Sequence, residues 1–141
     1  MAECSALPRL LLALLAPLLF ATGISLPSER PADQQATFEA LARDAEACRT
    51  SGQTDRAIDL YRKALAHNPQ WHQGWENLGL LLANQNEYAA AHQAFEKLLE
   101  IRPDHGDGWV LLGLSEFRLG LYDQAIQHLE KARGIRIADP A

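Results

Sequence analysis

Residues 74–88 read GWENLGLLLANQNEY, and residues 108–122 read GWVLLGLSEFRLGLY. Trp75 and Trp109, Leu78 and Leu112, Gly79 and Gly113, and Tyr88 and Tyr122 each stand 34 positions apart. Working outward from these two stretches, the same interval aligns Ala57 with Ala91 and Ala125, and Tyr61 with Phe95 and Leu129. It also aligns Ala64 with Leu98 and Ala132, and Pro69 with Pro103. Self-similarity at one fixed period marks a solenoid, in which each unit cannot bury its own apolar face and stacks on a neighbour to do so.

Each unit reads as two helices. The apolar pattern predicts first helices over 37–50, 71–84 and 105–118, and second helices over 54–67, 88–101 and 122–136. Gly52, Asn86 and Gly120 fall between the members of each pair, and these residue types accept the left-handed conformation that ends a helix. Gly79, Gly113 and the three aligned alanines let helix backbones approach, while Trp and Phe fill the space beside them. Pro69 and Pro103 close the second helix of the first two units; Ile137 stands there in the third.

These residues resemble the tetratricopeptide repeat, whose signature is W-x2-L-G-x2-Y, then A-x3-F, then P. The middle unit, 72–105, matches best, with Trp75, Leu78, Gly79, Ala91, Phe95 and Pro103. The third, 106–139, keeps Trp109, Leu112, Gly113 and Ala125; the first, 38–71, has Leu41 and Ala45 where the others have Trp and Gly. Cys48, Leu82 and Glu116 stand where the family often has Tyr. The resemblance implies an all-α, right-handed α-solenoid of three helix-turn-helix repeats spanning 37–139. It implies a non-enzymatic scaffold that binds a protein or peptide through a concave face lined by the first helices.

Carried over position by position, the family's groove sites fall at Glu39, Ala42, Glu46, Arg49 and Thr50 in the first unit. In the second they fall at Gln73, Glu76, Leu80, Ala83 and Asn84, and in the third at Asp107, Val110, Leu114, Phe117 and Arg118. The expected groove is acidic near the unit starts and apolar around Leu80, Leu114 and Phe117, with Arg49 and Arg118 along an edge. Relatives that clamp a chaperone's terminal carboxylate use Lys and Asn where this chain has Ala42 and Glu46, so that ligand is not expected. Phe117 has a second reading, as core in place of the Tyr missing at Glu116.

The first 35 residues differ in kind. Arg9 precedes an apolar block from Leu10 to Ala21, followed by Thr22, Gly23 and a polar stretch. A basic lead, an apolar core of about a dozen residues and small residues beyond it describe a secretory signal. We expect a signal over 1–23, cut after Gly23, and a flexible linker over 24–36. Retention as a membrane tether through residues 10–26 is the alternative, at the short limit for a span. Export to the periplasm or the medium, or anchoring by the N-terminus, follows.

Composition narrows the chemistry. The 141 residues carry a formal charge of -5, which gives a nucleic-acid role no electrostatic footprint. Cys4 and Cys48 make no disulfide framework, and Cys48 reads as a small buried apolar residue. No catalytic motif is present, and no cofactor or metal site is expected. The cluster Asp104-His105-x-Asp107 reads as a helix cap in preference to a metal site. Glu76, Glu87, Glu96 and Glu100 read as solvated helix-face residues. The last helix, with Ile126, Leu129, Ile135 and Ile137, has no successor in the sequence. Its apolar face is expected to be exposed, to pair with another copy as a self-associating scaffold, or to continue a longer array. A recruitment segment of a larger enzyme is a further alternative.

Overall fold

The computed structural model describes residues 31–138, so the expected signal, most of the expected linker and Cys4 lie outside the described residues. Six α-helices follow one another: α1 (Pro31–Thr50), α2 (Thr54–His67), α3 (His72–Asn84), α4 (Tyr88–Ile101), α5 (Gly106–Leu119) and α6 (Tyr122–Ala138). No strand occurs among the described residues. No helix there is long and apolar enough to cross a membrane. α1 starts at Pro31, ahead of the expected 37, so residues 31–36 of the expected linker are its first turns. Proline suits that position, where an amide hydrogen would have no intrahelical partner.

Successive helices pair as the repeat requires. α1 packs on α2, α3 on α4 and α5 on α6, and the hairpins join through α2 against α3 and α4 against α5. Each hairpin turn contains one left-handed residue, with φ of 74° at Gly52, 63° at Asn86 and 80° at Gly120. The chain can reverse within three residues because glycine and asparagine tolerate that conformation.

The core is a continuous row of the aligned small and large residues. Ala45, Ala57, Tyr61, Ala91, Phe95 and Leu98 are fully buried, and Cys48 is buried as a free thiol. Trp75 Nε1 donates to the Pro69 carbonyl and Trp109 Nε1 to the Pro103 carbonyl, both at 2.9 Å. The two indoles therefore occupy equivalent places, each anchored to the loop that precedes its helix. Trp71 joins the first two units: it stacks on Tyr61 at 5.6 Å and meets Phe38 edge-on at 5.3 Å.

Tyr61 also carries a polar bridge. Its hydroxyl donates to Glu46 Oε2 at 2.7 Å and accepts from Asn77 Nδ2 at 3.1 Å, linking α1, α2 and α3. The Arg49 guanidinium grips the same carboxylate, donating from Nε at 3.0 Å and 3.2 Å and from Nη2. Arg49 first, and Tyr61 second, hold the Glu46 carboxyl at about 2. Burial, then Glu46, push the Tyr61 hydroxyl up to about 12.

Several expectations change at the last hairpin. Ile126 is exposed, but Leu129 and Ile135 are half-buried because they turn inward onto α5, near Gly113 and Gly106. Ile137 lies outside the residues whose side chains are described. Phe117 does not replace the missing Tyr in the core: it is 57% exposed, and Glu116 itself is buried.

Two predictions test this packing. A Cβ on Gly79 would lie 2.5 Å from the buried Phe95 ring, whereas one on Gly134 meets nothing within 4 Å. Gly79→Ala should therefore lower thermal stability despite alanine's better helix propensity, and Gly79→Leu should cost about 1–3 kcal/mol. Gly134→Ala should raise stability by about 0.5–1 kcal/mol in denaturant melts. The Glu46 carboxyl is held down from 4.5 to about 2, so its contribution is complete above 4.5 and is lost as pH falls toward 2. In thermal melts across that interval, Glu46→Gln should show a flatter acid limb than the wild type. The difference should be small, since the carboxylate is half-exposed.

Candidate partner-binding face

The proposed groove residues lie on α1, α3 and α5 at spacings of three, four and three, which place them along one stripe of each helix. Glu39, Arg49, Gln73, Leu80, Asn84, Asp107, Leu114, Phe117 and Arg118 are exposed, and Glu46, Glu76 and Val110 are half-buried. Three side chains are apolar and open to solvent: Leu80 at 37%, Leu114 at 51% and Phe117 at 57%. Leu80 and Leu114 hold the same place in successive repeats. Phe117 sits one turn beyond Leu114 and meets the Tyr122 ring edge-on at 5.5 Å.

The charged members are less free than their sequence implied. Glu39 accepts from Gln35 Nε2 at 2.8 Å, and Glu46 is occupied by Arg49 and Tyr61. Glu76 Oε2 lies 3.8 Å from His105 Nε2, and Asp107 lies 3.5 Å from Arg136. Arg118 Nη2 donates to Tyr88 Oη at 2.6 Å, with the guanidinium 4.8 Å from that ring's centre. Of the acids on the stripe, Glu46 and Asp107 face an arginine while Glu39 and Glu76 keep their charge uncompensated by a permanent cation, and neither Arg49 nor Arg118 stands as an isolated cation. The negative case against a carboxylate ligand now rests on the absence of Lys and Asn at the sites of Ala42 and Glu46, since the Glu46 charge is already paired.

The Asp104-His105-x-Asp107 cluster does cap a helix, through the histidine. His105 Nδ1 accepts from the Gly108 amide at 2.8 Å. Asp104 turns outward to Arg102 at 3.1 Å, and that guanidinium holds the Asp104 carboxyl below its ordinary value. No group of three or more His, Cys, Asp or Glu among the described residues is arranged to hold a metal ion. A cavity of about 420 Å³ opens over Trp75, with Arg62, Leu78, Ala94 and Glu96 in its lining; it shares no residue with the stripe.

One constellation escaped the sequence reading. Glu116 is 1% exposed, and its carboxylate lies against two imidazoles. His128 Nδ1 is 2.8 Å and 2.9 Å from its two oxygens, and His92 Nε2 is 3.3 Å from Oε1. A signal existed: the departure from Tyr at Glu116 coincides, at the period of the repeat, with histidines at two other places that are apolar in other units.

Known proteins share this architecture. A family profile described as "Tetratricopeptide repeat" matches residues 45–104 and 77–140. Peroxisomal targeting signal receptors of Candida glabrata and Saccharomyces cerevisiae are 36% and 31% identical over 75 and 80 residues. Those alignments take in 53% and 57% of this chain but only 13% of each receptor. Among solved structures, MamA superposes with a TM-score of 0.68 at 25% identity, covering 82% of this chain and 71% of that one. The second TPR of Spaghetti (RPAP3), bound to an HSP90 peptide, has a TM-score of 0.66 at 16% identity, covering 74% of this chain and 98% of that one. The latter likeness is one of fold alone. Because the repeat profile spans well over half of the sequence, the chain belongs to the tetratricopeptide repeat family.

Proposed function

We propose that this protein is a non-enzymatic interaction module that docks a protein or peptide segment along the stripe of α1, α3 and α5. The observation that carries the reading is the exposure of Leu80, Leu114 and Phe117 along one stripe of α3 and α5. Isolated apolar residues at a surface need no explanation, but Leu80 and Leu114 at one repeat-related place, with Phe117 a turn beyond, form a surface that excludes water when covered. The segment this face fits offers apolar side chains to those residues, with polar or modestly basic flanks toward Glu39, Gln73 and Glu76. The peptide-bound relative of the same fold supports the mode of binding, not the identity of the ligand.

Self-association is a second reading, favoured by Tyr122 and Ile126, which are exposed on α6 of the third hairpin. A sedimentation mass that stays that of one chain across concentrations rules it out. We further propose that the protein is exported or tethered by its N-terminus, on the strength of Arg9 and the apolar block from Leu10 to Ala21.

Two measurements test these proposals. Leu80→Glu combined with Leu114→Glu should weaken partner capture from an envelope or secreted fraction by over a hundredfold. Burying each leucine on binding contributes about 1.5–3 kcal/mol. Far-UV helicity should be unchanged, and undiminished capture would place the docking surface elsewhere. The intact mass of the exported protein should correspond to a chain beginning at Ile24; a full-length mass would assign it to the tethered class.

A further inference from the structure

Three places in the repeat change character together, and at one location only. Cys48 and Leu82 are followed, at the same position of the third unit, by Glu116. Ile58 is followed by His92 and then by Ile126, and Leu60 and Ala94 are followed by His128. The fold brings the three exceptions into contact, with Glu116 on α5, His92 on α4 and His128 on α6. One imidazole belongs to the same hairpin as the carboxylate. The other belongs to the preceding repeat, so a single buried carboxyl group ties three helices across a repeat boundary. The neighbouring charged groups are Glu96 on α4, 3.5 Å from His92 Nδ1, and Lys131 on α6, which lies 3.6 Å over Trp109. The Trp109 ring is in turn 5.2 Å from His128.

We propose that His92, Glu116 and His128 form a stacking key that fixes which helix pair follows which. Hairpins this similar invite wrong pairings, within one chain or between two copies, because their apolar contact residues accept one another generically. Glu116 does not accept them. Stacked on Ile58 of the first hairpin it would lose His92, and in an exchange that also set Leu60 in the place of His128 it would be a buried carboxylate without a donor, which is strongly destabilising. In the correct stack each polar group is satisfied, and no buried side-chain nitrogen or oxygen among the described residues lacks a hydrogen-bond partner. A buried charged cluster seldom stabilises a fold more than apolar residues of similar size. The key therefore selects among arrangements and adds little to the stability of the right one.

The test uses two variants of the full chain. In the first, His92→Ile and His128→Ala install the residues of Ile58 and Ala94 and leave Glu116 alone; its melting temperature should fall well below the wild type. Adding Glu116→Leu, the residue of Leu82, should return the melting temperature to the wild-type value or above. After unfolding and dilution from denaturant, the triple variant should yield an increased fraction of exchanged dimers by size-exclusion chromatography with light scattering. Two results overturn the proposal. A triple variant that stays as unstable as the double, or does not fold, makes the cluster a source of stability. A triple variant that refolds to the same species distribution as the wild type shows that the cluster selects nothing.

Discussion

The close crossing of the two helices within each hairpin is the constraint on which the rest depends. Gly79 faces the Phe95 ring and Gly113 faces Leu129, with no space for a Cβ at either crossing. The first hairpin meets the same requirement with Ala45 beside Tyr61, both fully buried. A small residue on the first helix sets the distance, and a large one on the second fills what the distance leaves. Once that pair is fixed, the tryptophan one turn earlier has only one direction to go, onto the carbonyl of the preceding proline. The inter-repeat contacts then follow from the same geometry, because each hairpin presents to the next a face already set by its own crossing.

The helices, turns and crossings were legible in the sequence because each is dictated by residues near in position or repeated at a fixed interval. Gly52, Asn86 and Gly120 announced their left-handed turns by type and spacing together, and eleven of the twelve helix boundaries lie within two residues of those expected. The exception, the start of α1 at Pro31, lies ahead of the first repeat, where periodicity has nothing to compare. The candidate face was legible as a set of positions. Its electrostatics were not, since pairings such as Arg118 with Tyr88, 30 residues away, depend on how one repeat seats on the next. Glu46 illustrates the difference: in sequence a bare acid, it is in place a hydrogen-bonded anchor for Arg49 and Tyr61.

Glu116 marks where position-by-position comparison misleads. A departure from an aromatic residue at a core site reads as a neighbour, Phe117, moving inward to compensate. Helical geometry opposes this, because adjacent residues point about 100° apart and cannot exchange faces without rotating the helix. Rotation would turn Leu112 and Gly113 out of the packing that requires them. The chain instead keeps α5 in register and changes what surrounds the carboxylate. The substitution is tolerated through His92 and His128, neither of which is near it in sequence.

The three hairpins are consequently held by unlike means on a common plan. The first uses a tyrosine whose hydroxyl reaches both neighbouring helices, and the second a phenylalanine sealed against a glycine. The third pairs a smaller leucine with a buried carboxylate and covers its tryptophan with a lysine ammonium. In a solenoid each unit contacts only its neighbours, so such differences are felt locally and do not average over the whole. Polar fixing at the last repeat holds α5 by directional bonds, which resist sliding along the helix axis more than apolar contacts of the same area. Leu114 and Phe117 lie on the face of that helix turned away from Glu116, so the exposed apolar pair is mounted on a helix whose buried side is held by His92 and His128.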